Sequence, residues 1–423
     1  MESLERTKGE ITEETSTSQG GAFSGAVTGV PGEDSVKKNP VYHMIQCLES
    51  LKQLSSGESS QKGDKVLIGC QATQDLVLGL KNMASYLHDL QSREEFRARD
   101  GPNVVVSILN DGFGNRDIVF SGFAVVAAAS TGNKDTKESF MNLKIEELIL
   151  QALTKSRDTR GESSIDLNVS VYDAIHILLT ADDTRFPPSQ ICGNARKFAQ
   201  TGIVEVLLQV MNTAALSERF LAAIALDAIA LNDKICAIIF QKGGTARVLS
   251  CLQSILPDTE FSTDPDKTVT KACCSLLSKL AGMDTDDIIS EESLGTLIDL
   301  ISEQSLGTLV YLSGTPCYYD SSVLQEMMSL ISILSLKSPA CAFEAGVGKL
   351  TIKVMKDFPA AQILQWRCCL IIRNLAVKNS ENIKIMLENG VETLIRQAKQ
   401  THAICKDAAT DALRRLELDD YYV

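Results

Sequence analysis

Apolar residues recur at helical spacing along most of the chain, in blocks that resemble one another. The block QWRCCLIIRNLA carries an apolar landmark at Leu375. The matching positions in earlier blocks are Met83, Ala128, Leu178, Ile229, Leu280 and Leu334. A stripe of this kind is typical of a helix with one buried face. Its repetition predicts stacked units of similar structure instead of one globular core.

Most of these helices are followed by a short segment, a Gly turn and a second amphipathic helix. The second helices lie in RDGPNVVVSIL, AQTGIVEVLLQVM, QKGGTARVLSCL, EAGVGKLTIKVM and ENGVETLIRQAK. A Gly at such a turn fits a helix that ends in a left-handed residue. Two units, around Lys144 and Ser293, lack the Gly. The pattern predicts an all-α solenoid over residues 40–423, closed by a C-terminal helical cap.

The N-terminal residues 1–39 have a different composition. They are rich in Gly, Ser, Thr and Glu and show no sustained helical stripe. Such a segment buries too little apolar surface to offset its ordering entropy. We therefore expect a disordered N-terminal tail followed by the solenoid.

Net charge and hydropathy argue against a nucleic-acid-binding protein and against a membrane protein. The net charge of -13 argues against a nucleic-acid partner, because phosphate contacts need a concentrated basic face. The first residues contain no apolar stretch of the signal-peptide type, and the chain reaches no run long enough for a membrane span. We expect a monomeric, cytoplasmic protein that can also reside in the nucleus.

The twelve cysteines do not have the spacing of a metal site. No C-x-x-C occurs, and the pairs Cys273–Cys274 and Cys368–Cys369 are adjacent residues that point apart on a helix. The same offset from the landmark holds Ala222 and Ala223 in another unit. A repeat position that is occupied by Cys in some units and by Ala in another indicates tight helix packing, which admits only small side chains. We therefore predict no metal and no cofactor.

The period, and the order of long helix, short helix, Gly turn and second helix, resemble the armadillo repeat. The resemblance implies a right-handed α-solenoid of degenerate armadillo repeats. The segments AIHILLTADDTRFPPSQICGNARKFAQTGIVEVL and CLIIRNLAVKNSENIKIMLENGVETLIRQAKQ further resemble the family of armadillo repeat-containing protein six. The matching residues are Asp182, Asp183, Arg185 and Pro187. Cys192 and Asn194 stand where that family has histidines, and Ser189 replaces a Gly.

Two segments could suggest catalysis or nucleotide binding. FEAGVGKLT has Gly and Lys but not the spacing of a phosphate-binding loop, so we interpret it as a repeat turn. His176, Asp182, Asp183 and Cys192 could be drawn as a nucleophile and its base. Asp residues at a helix end before a Pro-rich loop are equally expected from turn chemistry, and we favour that interpretation.

The resemblance implies that the long third helix of each unit lines an inner groove, where an Asn can hold an extended peptide. The position before each landmark and the position before that supply the predicted groove residues Lys81, Asn82, His176, Asp227, Lys279, Arg373 and Asn374. The nuclear-import type of receptor has Trp four residues before the Asn. Here Leu78 and Leu370 stand there, which argues against recognition of basic import signals.

The sequence therefore favours a non-enzymatic scaffold that presents an armadillo groove to a protein or extended peptide. The basic ends of the groove suit acidic or extended segments. A transport or chaperone adaptor is the alternative within binding proteins. An enzyme would need distant titratable residues to converge in one pocket. The inserts TKSRDTRGESSID, LPDTEFSTDPDK and LSGTPCYYDSS could instead carry the contacts.

Overall fold

The computed structural model describes residues 40–55, 65–158, 165–213, 215–255, 264–283, 291–316, 318–377 and 380–418. These residues form α-helices joined by short turns, with one 3-10 segment at Ala403–Cys405 and no strand in the ranges given. The predicted tail, residues 1–39, lies outside them, as do residues 159–164 of the insert TKSRDTRGESSID and residues 256–263 of the insert LPDTEFSTDPDK.

Twenty-two α-helices cover the described part of the chain. The N-terminal helices are α1 Pro40–Ser55, α2 Lys65–Tyr86, α3 Leu90–Ala98, α4 Gly101–Gly112, α5 Arg116–Ser130, α6 Lys134–Asn142, α7 Ile145–Asp158, α8 Ile165–Leu179, α9 Pro188–Gln200, α10 Ile203–Thr213 and α11 Leu216–Ile229. The C-terminal helices are α12 Asp233–Gln241, α13 Gly244–Gln253, α14 Asp264–Ala281, α15 Glu291–Gly314, α16 Ser321–Lys337, α17 Pro339–Glu344, α18 Val347–Asp357, α19 Gln362–Leu375, α20 Ser380–Glu388, α21 Val391–Thr401 and α22 Lys406–Arg415.

Groups of three helices form the repeating unit. The complete units are α3–α5, α6–α8, α9–α11, α12–α14, α17–α19 and α20–α22, preceded by α1 and α2. The third helix of each unit packs against the third helices on either side, in the unbroken order α2, α5, α8, α11, α14, α16, α19, α22. We call these the ladder helices. The arrangement is the armadillo solenoid that the repeat predicted.

The landmark residues form the core beneath the ladder. Met83, Leu178, Ile229, Leu280, Leu334 and Leu375 are all fully buried. Ala128 is an exception, because it is partly exposed while Ala129 is fully buried. The landmark of that unit is therefore Ala129, and the register predicted for it was wrong by one residue. The cysteine pairs Cys273–Cys274 and Cys368–Cys369 are fully buried thiols, which confirms their packing role.

The turn before the second helix has a left-handed residue in most units. Gly202, Gly243, Gly346 and Gly390 all have φ between 73° and 92°. Lys144, in a unit that lacks the Gly, takes the same conformation with φ 58°. The Gly turn predicted in RDGPNVVVSIL was wrong by one residue, because Asp100 is the left-handed residue there, with φ 61°, and Gly101 is the first residue of α4. Ser293 lies in the first turn of α15, and the residues that precede this helix, 284–290, lie outside the described residues. The described part of this unit therefore consists of α15 and α16.

The third insert, LSGTPCYYDSS, joins α15 to α16 and is anchored at both of its tyrosines. Tyr318 is 2% exposed, and the Tyr319 hydroxyl donates to Asp357 at 2.7 Å. No single helix among the described residues is long and apolar enough to cross a membrane. The pair α12 and α13 passes that test jointly, but it is bent by 82° at the turn and its apolar residues belong to the core.

Candidate partner-binding face

The ladder helices pack against neighbouring helices and leave a row of partly or fully exposed side chains, which we call the ladder face. On α2 the predicted residues Lys81 and Asn82 are both exposed on this row. On α8 the predicted His176 is exposed. Helix α5 lies between them and has the small residues Ala127 and Ala128 at the positions that correspond to Lys81 and Asn82. In an armadillo solenoid this face lines the inner groove.

Asp227 and Lys279 meet across α11 and α14. The Lys279 ammonium donates to the Asp227 carboxylate at 2.6 Å and to the Asp227 carbonyl at 2.8 Å. Their side chains are 22% and 31% exposed, so the pair is partly screened by solvent. The sequence placed both residues in the groove but did not predict that they would bind each other.

Arg373 and Asn374 lie at the end of α19, and only Arg373 has an exposed surface of any size. Asn374 is 3% exposed, and its amide donates to the Ser332 carbonyl at 3.0 Å and to the Ser335 hydroxyl at 3.2 Å. Its side-chain oxygen accepts from the Arg373 guanidinium. Asn374 thus fastens α19 to α16 and orients Arg373, with little surface left for a partner.

The ladder face also holds residues that the sequence analysis missed. Glu326 lies on α16, and Trp366 and Arg367 lie side by side on α19. The Arg367 guanidinium stacks on the Trp366 ring at 4.6 Å from its centroid. Glu326 and Arg367 each stand eight residues before their landmarks, Leu334 and Leu375. Counting back about two helical turns from each landmark would therefore have identified Glu326 and Arg367 as ladder-face residues.

These residues share one electrostatic environment. Burial raises the pKa of Glu326 above its usual range, and the Asp227 charge raises it further. Lys279, Arg367 and Lys271 oppose that rise. Burial lowers the pKa of Arg367, and Glu326 opposes that shift in turn. Charges on α11, α14, α16 and α19 of the ladder face are therefore close enough to act on one another electrostatically.

Asp182 and Asp183, in the motif that carries the family resemblance, bind a neighbouring helix and do not belong to the ladder face. The Asp182 carboxylate accepts from the Gly132 backbone N–H at 2.6 Å and pairs with Lys137, whose side chain is fully buried. Lys137 also donates to the Thr180 carbonyl at 2.6 Å. Asp183 accepts from the Lys134 backbone N–H at 2.9 Å. Both carboxylates thus bind the start of α6, which confirms the interpretation as helix-end chemistry.

Arg185 extends this network to a third unit. It binds Asp183 at 2.8 Å and Asp135 at 3.1 Å, and its guanidinium lies 4.0 Å from Glu94 on α3. Hydrogen bonding from Arg185 holds the pKa of Asp183 well below its usual range. We call Lys137, Asp182, Asp183 and Arg185 the staple. It connects the units α3–α5, α6–α8 and α9–α11.

The possible catalytic set does not come together in the described residues. His176 is exposed on α8, and the staple occupies both carboxylates. Cys192 is on α9, where its thiol lies 3.9 Å from the Leu231 carbonyl in the next unit. The segment FEAGVGKLT is the turn between α17 and α18, as predicted, with Gly346 at φ 85°.

Comparison with known proteins places the fold. No protein-family model matches the chain, and no curated protein matches it significantly. An engineered protein of known crystal structure is 15% identical, with a TM-score of 0.62 over 91% of this chain and 90% of that one. This likeness concerns the fold alone.

Two designed armadillo repeat proteins are also similar, each with a TM-score of 0.45. One is 17% identical and covers 62% of this chain and 99% of its own. The other, solved in complex with the peptide (KR)4, is 16% identical and covers 62% of this chain and 98% of its own.

Proposed function

We propose that this protein is a non-enzymatic scaffold that binds an extended segment of a partner protein along the ladder face. The observation that carries the proposal is the unbroken row of ladder helices from α2 to α22. Such a row offers side chains at regular intervals on one face, so affinity can be spread over several units. Lys81, Asn82, His176 and Arg373 are the proposed contacts with exposed surface.

The chemistry of the ladder face supports binding more than catalysis. Its polar groups are spread along several helices, and the buried polar network at Lys137 is bound to backbone groups of the solenoid itself. A catalytic site needs its acid, base and nucleophile within hydrogen-bond reach of one reacting atom. Partner binding needs only complementary groups along an accessible row.

Site-specific photo-crosslinking would test this proposal. A photoreactive amino acid placed at Ala127 or Ser278 reports on the ladder face, and the same group at Lys349 or Lys384 reports on the exposed sides of α18 and α20. We expect cross-links from both ladder positions to one contiguous segment of the same partner. Cross-links that arise only from Lys349 or Lys384 would show that the partner binds elsewhere.

Substitution would then assign the contacts. We expect the triple variant Lys81→Ala, Asn82→Ala, Arg373→Ala to lose the ladder cross-links while keeping its helical circular dichroism. Asn374 is left unchanged, because its replacement would disturb the contact with α16. A variant with Lys349 and Lys384 replaced by Ala is the control for loss of surface charge.

The proposal also includes a family and a cellular location. We retain the resemblance to the family of armadillo repeat-containing protein six, on the residues Asp182, Asp183, Arg185 and Pro187. We also propose that the protein acts in the cytoplasm, with access to the nucleus. Immunofluorescence of the endogenous protein would test the location.

A further inference from the structure

A group of charges crosses the C-terminal part of the ladder face. The cations are Lys271, Lys279, Arg367 and Arg373, and the anions are Asp227 and Glu326. Cations therefore outnumber anions by two in a chain whose net charge is -13. A basic surface on an acidic protein is a local feature that attracts anionic groups.

The anions are not equally engaged. Asp227 is bound to Lys279 at 2.6 Å. Among the residues that the structure describes, none forms an ion pair or hydrogen bond with the Glu326 carboxylate, although Lys271, Lys279 and Arg367 all act on it electrostatically. Glu326 is thus a nearby but loosely placed counterion, and its desolvation makes the charged form costly.

A partner cation would be a poor match for this space, because Lys271, Lys279 and Arg367 outnumber the carboxylates of Asp227 and Glu326. Asp227 is already bound to Lys279, so a partner carboxylate would meet Arg367 and Lys271, which form no ion pair with a carboxylate among the described residues. The guanidinium of Arg367 is suited to carboxylate recognition, and its stacking on Trp366 already restricts its orientation.

Apolar surface lies directly beside the charges. Trp366 and Leu370 are one turn apart on α19, and both are partly exposed. An extended chain directs successive side chains to opposite sides, so every second residue can meet the same surface. A segment that combines acidic and aliphatic residues can therefore contact Arg367 and Trp366 together.

We propose that the C-terminal part of the ladder face, on α14, α16 and α19, binds an extended acidic segment that also carries aliphatic residues. A partner carboxylate takes the place of Glu326 as the counterion of Arg367 and Lys271, and an aliphatic side chain packs on Trp366 and Leu370. Glu326 is then a built-in competitor that weakens binding. This inference rests on the proposed function and specifies the class of partner.

The single tryptophan of the chain makes the test direct, since its fluorescence reports on this site alone. The probe is a Trp-free peptide of alternating Glu and Leu, and the control peptide has Lys in place of Glu. We expect the Glu–Leu peptide to change the Trp366 emission saturably, and the Lys–Leu peptide not to compete with it. The affinity should fall with added salt, as expected for exposed charges.

Two substitutions distinguish binding at this site from non-specific electrostatic attraction of the peptide to the protein. We expect Arg367→Ala to weaken binding about tenfold, and Glu326→Gln to strengthen it about fivefold. The matched controls, Lys384→Ala and Glu388→Gln, make the same charge changes on α20 and should leave the affinity unchanged. If Arg367→Ala does not fold, the Glu326→Gln result decides.

Several outcomes would overturn the inference. These are preference for the Lys–Leu peptide, no response of Trp366 to the Glu–Leu peptide, and weaker binding by Glu326→Gln. If any of these outcomes is found while the photo-crosslinks at Ala127 and Ser278 persist, the proposed acidic class of partner is wrong but the proposed function is not. If those cross-links also fail, the proposed function is wrong as well.

Discussion

At the scale of single residues, the turn before each second helix shows how backbone conformation limits the sequence. Four units place Gly in the left-handed region, but Lys144 adopts φ 58° at the equivalent position. A side chain in this region brings its Cβ too close to the following carbonyl oxygen. The strain at Lys144 persists because the two helices that it joins, α6 and α7, are held by their packing on each other and on neighbouring helices.

We expect Lys144→Gly to stabilise the protein by about 1 kcal/mol, since Gly removes the steric strain. The ion pair with Glu147 is lost, but both side chains are more than half exposed and the pair contributes little. Urea denaturation would measure the effect. Lys242→Gly is the matched control: Lys242 has φ −85°, so the same replacement there should destabilise. A lower urea midpoint for Lys144→Gly would refute the strain argument.

Gly244 is required for a different reason, the close approach of two helices. A Cβ at this position would lie 2.4 Å from the Ile239 side chain and 2.7 Å from the Ile239 carbonyl oxygen. We expect Gly244→Ala to destabilise by about 2 kcal/mol or more, as overpacking does. Gly193→Ala, in the middle of α9 with no atom within 4 Å, should instead stabilise slightly. Thermal melts of the two variants should shift in opposite directions.

At the scale of elements, the staple is a partly buried polar connection between neighbouring units. Lys137 is fully buried on α6 and bound to Asp182 and to the Thr180 carbonyl, both in the loop after α8. Burial lowers the pKa of this lysine, and the Asp182 carboxylate opposes that shift. A buried charge of this kind is tolerated only because its hydrogen bonds are made.

We expect Lys137→Met to destabilise by about 3 kcal/mol, because Asp182 would keep its charge without its cation. Lys384→Met breaks the pair with Glu388, whose side chains are 76% and 62% exposed, and should change the stability by less than about 0.5 kcal/mol. Chemical denaturation of both variants gives the comparison. Equal effects would mean that the buried pair has no special role.

The staple also predicts an acid dependence of stability. The pKa of Asp183 is lower in the folded protein than its ordinary value of 3.8, chiefly because Arg185 hydrogen-bonds to it. The folded state therefore binds fewer protons, so this stabilisation is present above the ordinary pKa and is lost as the pH falls through the folded one. We expect Asp183→Asn to be less stable than wild type at neutral pH, with the difference shrinking toward about pH 3. Urea midpoints across this range would show a constant difference if Asp183 were not the titrating group.

At the scale of the whole molecule, a solenoid whose units contact only their neighbours need not unfold as one body. The staple is in the N-terminal units, whereas Trp366 lies on α19 near the other end. We expect the Lys137→Met variant to lose part of its helical circular dichroism at a lower temperature, with the Trp366 fluorescence transition unchanged. Coincident shifts in both signals would show that the array unfolds cooperatively.

The helices and their order could be predicted from the sequence because each unit repeats the same apolar stripe. The prediction failed where that signal weakens. The segment AVVAAAS consists of small apolar residues, so its sequence does not show which of them lies on the buried face of the helix. The landmark was therefore predicted at Ala128 instead of Ala129.

The candidate site was predictable to the extent that it follows the repeat register. Lys81, Asn82 and His176 are exposed as expected, and their role as contacts stays a prediction. Asn374 was misjudged because the same position that faces solvent at Asn82 faces α16 at the other end of the array. The ion pair of Asp227 with Lys279 joins residues 52 positions apart, and only the stacking of units brings them together.

The staple has a further consequence during synthesis of the chain. Lys137 precedes Asp182 by 45 residues. At the usual rate of translation, about 5 to 20 residues per second, the lysine leaves the ribosome roughly 2 to 9 seconds before its carboxylate. Throughout that interval burial of Lys137 on α6 would cost the desolvation of an unpaired charge. We therefore expect the nascent chain to complete the packing of this unit only after the loop after α8 has emerged.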